Sequence, residues 1–168
     1  MIPSLTEDCG QCAALCCLAL AFDKGEDFAI DKPAGTPCPH LARHACSIHA
    51  RLEDEGFPGC IRYSCTGAGQ RVVQEIFGGQ SWQDDPALTR PMIDVFRGMR
   101  EVQERLAQLS AARALSLDEA DRAECDRLIT GLLPDHIDRA AVENFPGSAQ
   151  QDEIDRFVKS LRRYVFKG

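Results

Sequence analysis

Apolar residues recur every three or four positions along much of the second half of the chain. In the segment RPMIDVFRGMREVQERLAQLSAARAL they form a single stripe, and this spacing predicts a long amphipathic helix with one buried face. The stripe consists of Met92, Phe96, Met99, Val102, Leu106 and Leu109.

Two capping signals predict further helices after the long one. SLDE places Ser116 as an N-cap with Glu119 three residues later, and the helix should stop at Gly131, ahead of Pro134. SAQQ, which begins at Ser148, repeats the signal before another apolar stripe. We therefore expect three or four antiparallel helices packed together.

The first half is less regular and predicts only short elements. SIHARLEDEG is typical of a short helix that ends at Gly56, and GAGQRVVQEIFGG is typical of a second one. The second helix should bury the apolar residues Val72, Val73, Ile76 and Phe77.

Cysteine usage divides the chain. Eight of the nine cysteines lie within the first 65 residues, and glycines, a polar run and a proline interrupt the pattern in GGQSWQDDP, Gly78 to Pro86. We predict a mainly α fold in which an irregular Cys-rich metal-binding module, residues 1–80, packs on a C-terminal α-helical region, residues 81–168.

Composition excludes some partners. The chain has 168 residues and a net charge of -7, which argues against non-specific nucleic-acid binding and against an anionic membrane surface. No run approaches the roughly 20 apolar residues that span a bilayer, and the N-terminus lacks the pattern of a secretory signal. A cytoplasmic location is expected, where thiols stay reduced.

Four cysteines stand within the nine residues CGQCAALCC. Cys9 and Cys12 form the C-x2-C pair typical of structural zinc sites, and Cys16 at i+7 would share their helical face. The candidate metal ligands are Cys9, Cys12, Cys16, Cys17, Cys38, Cys46, Cys60 and Cys65. Spacing alone does not pair them into one or two sites.

Core packing and reactive thiols remain alternatives to metal binding, because cysteine also behaves as a small buried hydrophobe. Packing suits Cys17, which faces away from the other three thiols of its segment, and Cys125 is expected to be structural. A nucleophilic pair of Cys46 with His49 or His40 also stays open, so the sequence does not decide whether the protein is an enzyme.

Several histidines and arginines are also assigned from the sequence, some of them with two interpretations. His49 is a substitute ligand or a surface residue, and His44 and His136 are expected at the surface. Arg51, Arg62 and Arg71 either lower the pKa of neighbouring thiols or are ordinary surface residues. The segment TGAGQRV lacks the third glycine of a dinucleotide-binding motif and more simply starts a helix.

The order C-x2-C-x3-CC, then GTPCPHL, then CSIHARLEDEGFPGC resembles the YkgJ-type cysteine-cluster family, described as zinc- or iron-chelating. The likeness covers residues 9 to 65, and the later cysteine follows a longer segment here than the short RP stretch of that family. It implies that Cys9, Cys12, Cys16, Cys17, Cys38, Cys46 and Cys60 match the family's cysteines, with Cys65 as an eighth.

All-thiolate sites suit both zinc and iron-sulfur clusters. The first expectation is a cysteine-ligated zinc, structural or handled as cargo, with a helical surface available to a protein partner. The alternative is an iron or iron-sulfur protein with a redox or enzymatic role. A thiol protein that stores exchangeable metal is a third possibility.

Overall fold

The computed structural model describes residues 2–165 and is mainly helical. Its helices are α1 (Leu15–Ala19), α2 (Pro58–Arg62), α3 (Ala68–Arg71), α4 (Thr89–Ala112), α5 (Glu119–Gly131), α6 (Arg139–Glu143), α7 (Ala149–Ser160) and α8 (Arg162–Val165). A two-stranded antiparallel hairpin joins β1 (Leu41–Ala42) to β2 (Ala45–Cys46). Short 3-10 turns lie at Cys9–Gln11, His49–Arg51 and Pro86–Leu88.

Helix α4 is the long helix that the apolar stripe predicts. All six residues of that stripe are buried, with Met92, Leu106 and Leu109 fully inaccessible. Helices α1, α3, α5, α6 and α7 all pack against α4. This main core draws on both halves of the chain, since Leu15 and Leu18 of α1 are as buried as the α4 residues.

The capping prediction is confirmed for α7 and displaced by two residues for α5. Ser148 caps α7, and its hydroxyl accepts from the Gln151 N–H at 3.2 Å. In α5 the N-cap is Asp118 rather than Ser116, because Leu117 is buried in the main core and the helix begins only after it. Helix α5 ends at Gly131, as expected.

The prediction that Cys9, Cys12 and Cys16 share one helical face is wrong. The Cys9–Gln11 turn ends at Cys12, whose backbone is extended, and α1 begins only after Ala14. Ala14 takes a left-handed φ of 54°, which no α-helix tolerates in its interior. Its neighbour Ala13 turns its carbonyl to the Trp82 indole N–H at 2.7 Å instead of to a helical partner.

Two other predicted helices are shorter or less regular than expected. SIHARLEDEG forms only the His49–Arg51 turn before Gly56 ends the segment with a φ of 82°. In GAGQRVVQEIFGG, α3 continues into a π-helical turn, Val72–Ile76. Val72, Val73 and Phe77 are buried as predicted, whereas Ile76 is only partly buried.

A second core lies among the loops and short elements between α1 and α3. Its buried members are Phe22, Cys38, Ile48, Leu52 and Phe57. The backbone there is joined by a single antiparallel bridge between Phe22 and Lys32 and by the β1–β2 hairpin. No helix within residues 2–165 is both long and apolar enough to cross a membrane.

Close packing of α4 against α6 depends on Gly98. A side-chain carbon there would overlap the Val142 carbonyl of α6, so Gly98→Ala must push the two helices apart. We expect the free energy of unfolding to fall by about 1–3 kcal/mol, measured by urea denaturation. Gly25→Ala is the control, because nothing lies near its added carbon; equal stability of the two variants would contradict this packing.

Candidate functional site

The candidate ligands differ in exposure. Cys9 is exposed and Cys38 is buried, while the other six lie between these extremes; all nine thiols are free. Within residues 2–165, no three or more His, Cys, Asp or Glu side chains lie together in an arrangement that could hold a metal ion. Metal binding therefore stays a prediction, and the site is described by which thiols are neighbours.

Cys9, Cys12, Cys16 and Cys65 form what we call the first thiol group. Cys12 packs so closely on Gly69 of α3 that a side-chain carbon at Gly69 would overlap its sulfur. Cys65 lies just before that helix, and its carbonyl accepts from the Ala68 N–H at 2.9 Å. Cys12, Cys16 and Cys65 all pack against the main core.

Hydrogen bonds fix the N-terminal segment beside α3. The Gln70 side chain accepts from the Asp8 N–H at 3.1 Å and donates to the Thr6 carbonyl at 2.8 Å. The Gln74 amide donates to the Gln11 carbonyl at 3.0 Å. These contacts bring the segment of Cys9 and Cys12 next to that of Cys65, although the two are far apart in sequence.

Cys17, Cys38, Cys46 and Cys60 form the second thiol group, and all four belong to or pack against the second core. The Cys38 N–H donates to the Cys17 carbonyl at 3.0 Å. Cys46 pairs across the hairpin with Leu41, whose N–H donates to the Cys38 carbonyl. Cys16 of α1 packs against the main core and its neighbour Cys17 packs against the second core, although their two side chains are hydrogen-bonded to each other.

The electrostatic environment keeps several thiols protonated. Burial raises the pKa of Cys12 to about 12, with smaller contributions from the charges of Cys16 and Cys65. The pKa of Cys16 is also raised, first by the hydrogen bond with Cys17 and then by burial. In the second thiol group, burial raises the pKa of Cys60 to about 11, followed by the charges of Cys16, Cys38 and Cys46.

The Tyr63 hydroxyl lies buried beside the first thiol group without a hydrogen-bond partner. Burial raises the pKa of Tyr63, the nearby Arg100 opposes this, and Cys16, Cys65 and Cys12 add to the increase. A buried hydroxyl without a partner costs roughly 1–3 kcal/mol. The Tyr63 hydroxyl is therefore free to donate a hydrogen bond to a group that binds next to these sulfurs.

The Lys32 ammonium is the buried polar group near the second thiol group, as the Tyr63 hydroxyl is near the first. Lys32 is 3% exposed, and its Nζ donates to the carbonyls of Thr36 at 2.8 Å, Pro33 at 3.2 Å and Leu18 at 3.5 Å. Burial lowers the pKa of Lys32, and the charges of Cys38, Cys17 and Cys16 oppose that change.

Each of the three arginines near the cysteines is paired with a carboxylate. Arg51 pairs with Glu55 and Arg62 pairs with Asp27 at the surface. Arg71 is no surface residue: it is buried and bonded to Glu75 and to Gln103 of α4.

Three of the four histidines are exposed. His49 and His136 are exposed, and the exposed His44 bonds the Ser81 hydroxyl at 2.8 Å. His40 packs edge-on against the Phe57 ring. Cys125 is fully buried and its thiol contacts the Leu109 carbonyl at 3.4 Å, as expected of a structural cysteine.

Sequence reasoning missed Tyr63, Lys32 and Gly69. None of them belongs to a metal-binding motif, and a single Tyr, Lys or Gly is ordinary in composition. Their roles come from burial and from contacts between distant segments, and only the fold reveals these.

The chain resembles one curated protein over most of its length. It is 45% identical over 117 residues to the uncharacterized protein YybG of Bacillus subtilis (strain 168). The match covers 69% of this chain and 41% of YybG, so the chain spans about two fifths of that relative. No protein-family model and no solved structure matches the chain, and the likeness to the YkgJ-type family stays a prediction.

The raised thiol pKa values predict slow alkylation of the folded chain. At pH 7.5, iodoacetamide should modify Cys12 and Cys60 at least about tenfold more slowly in the folded protein than in urea, because the thiolate is the reactive form. The folded rates should rise with pH towards the pKa values of about 12 and 11. Peptide mass spectrometry measures them; equal rates in the folded and unfolded chain would contradict the assignment.

Proposed function

We propose that the protein binds metal through the cysteines between residues 9 and 65, with zinc as the expected ion. The observation that carries the proposal is the first thiol group, in which thiols from two distant segments act on the pKa of the unpartnered Tyr63 hydroxyl. Four thiolates are a donor set that zinc prefers. The resemblance to YkgJ-type proteins supports the same conclusion.

The residues present fit a thiolate-bound metal chemically. Zinc displaces protons from thiols of raised pKa, and binding at neutral pH therefore releases protons. The Tyr63 hydroxyl would donate a hydrogen bond to a metal-bound sulfur, and contacts of this kind orient the side chains that bind a metal. Because no such ligand set is already assembled within residues 2–165, binding requires the thiols to rearrange, and Cys9 is the exposed one among them.

The role that we propose for zinc is structural. The second core is small and its backbone carries few regular hydrogen bonds, and modules of this kind commonly need a cross-link. Structural zinc contributes roughly 10–16 kcal/mol of apparent binding free energy, as much as the roughly 5–15 kcal/mol stability of a whole domain. A reducing compartment such as the cytoplasm follows, since the thiols must stay reduced to bind.

An iron-sulfur cluster is the second candidate. The same thiols would hold it, and hydrogen-bond donors beside cluster sulfurs tune the reduction potential. The buried Tyr63 hydroxyl is a group of that kind.

A protein partner for the helical half would meet a charged surface. Helices α4, α5 and α7 carry exposed ion pairs such as Arg127 with Glu153 and Arg113 with Asp126. Among the side chains of residues 2–164, the one large hydrophobic side chain that is strongly exposed is Ile61, next to Cys60 and outside those helices.

Metal content tests the proposal directly. Protein purified anaerobically without added metal should contain one or two zinc ions per chain, with no visible absorption, by elemental analysis and spectroscopy. If the protein instead binds an iron-sulfur cluster, it should contain iron and acid-labile sulfide in place of zinc. Protein without metal and with nine titratable thiols would contradict both.

Gly69 offers a test that leaves every cysteine in place. Gly69→Ala should displace the Cys12 sulfur and weaken zinc binding by at least about tenfold, because a misplaced ligand costs more than about 1.4 kcal/mol. Competition with a chromophoric chelator measures the affinity. Gly25→Ala serves as the control with free space around its added carbon; unchanged affinity in Gly69→Ala would argue against Cys12 as a ligand.

A further inference from the structure

We propose that Cys17, Cys38, Cys46 and Cys60 hold a second metal ion, separate from that of the first thiol group, and that the buried Lys32 ammonium is its counter-charge. This inference rests on the proposed function, since it specifies how many metal ions the cysteines hold and how they pair.

Lys32 lies where such a centre would form. Its Nζ donates to the carbonyl of Leu18, which directly follows Cys17, and to that of Thr36, two residues before Cys38. The Cys38 N–H closes this arrangement by donating to the Cys17 carbonyl. The ammonium therefore lies between the segments that carry two of the four thiols.

The remaining two thiols reach the same core from other segments. Cys46 lies on β2 opposite Leu41, and Cys60 follows Phe57, the most buried residue of the second core. The Cys60 N–H donates to the Phe57 carbonyl at 3.0 Å. The Lys32 ammonium lies over the Phe22 ring of this core, 4.9 Å from its centre.

The charge on Lys32 has no carboxylate to balance it. Two cationic side chains are buried within residues 2–165, and the other one, Arg71, bonds the Glu75 carboxylate at 2.9 Å. Lys32 forms no ion pair with an Asp or Glu of the described chain, and only carbonyl oxygens accept from it. Burying an unbalanced charge is costly, so buried charges are normally paired.

A four-thiolate zinc centre supplies the missing negative charge. Zn²⁺ with four thiolates has a net charge of about −2, which is itself unfavourable in a poorly solvated core. An ammonium beside this centre lowers the free-energy cost of burying both the negative centre and the ammonium itself. A purely structural role, in which Lys32 only satisfies three carbonyls of the loop, would give no coupling between Lys32 and zinc.

The test measures zinc binding to the full chain with Lys32→Met, using the exposed Lys24→Met as the control. The wild-type protein and the control should bind two zinc ions. Lys32→Met should weaken one of them by at least tenfold in chelator competition and the other by a smaller factor, because Cys16 of the first thiol group also interacts with Lys32. Alkylation with mass spectrometry should show lost zinc protection at Cys17, Cys38, Cys46 and Cys60 but retained protection at Cys9, Cys12, Cys16 and Cys65.

Unchanged affinity for both ions in a folded Lys32→Met protein would overturn the counter-charge. If that variant does not fold, Cys60→Ser tests the pairing of the thiols instead. This variant should bind one zinc and keep the first thiol group protected from alkylation. Lost protection of both thiol groups would overturn the separation into two sites. A wild-type protein that binds one zinc, protecting only the first thiol group, overturns this inference alone. A wild-type protein that binds no zinc overturns the proposed function as well.

Discussion

Burial of the apolar stripe of α4 is the interaction on which the rest of the fold depends. Five other helices pack against this one, including α1, whose Leu15 and Leu18 are fully buried. Helix α1 in turn fixes the direction of Cys16 and Cys17, because its buried face is committed to α4. The positions of these two cysteines are therefore set by hydrophobic packing.

Helix α4 also reaches the first thiol group through a polar side chain. Gln103 is fully buried and donates to the Thr66 carbonyl at 2.7 Å, directly after Cys65. Its oxygen accepts from Arg71 at 2.9 Å, and Arg71 is itself paired with Glu75. A satisfied buried network of this kind specifies a unique local arrangement, and it holds the Cys65 loop against the core.

The second core lacks comparable support. Phe22, Ile48, Leu52 and Phe57 make a small apolar cluster without a helix longer than α2 to organise it. Small modules bury too little apolar surface to offset the entropy of ordering the chain. A metal on the second thiol group would supply the cross-link, and Lys32 would then be an electrostatic requirement of that cross-link.

Elements that depend on local interactions were predictable from the sequence, whereas features that depend on tertiary contacts were not. The α4 stripe and the Ser148 cap depend on local periodicity and local hydrogen bonds, so they were predictable. The break at Ala14 and the shift of the α5 cap to Asp118 arise from tertiary contacts, of Ala13 with Trp82 and of Leu117 with the main core. The sequence identified the cysteines as a set, but their division between two cores depends on the fold.

The central claim is that these cysteines coordinate a metal through sulfur. X-ray absorption spectroscopy at the edge of the metal that copurifies with the full chain tests it most directly. For zinc, we expect a shell of about four sulfur atoms at about 2.3 Å. A shell dominated by nitrogen and oxygen at about 2.0–2.1 Å would contradict it.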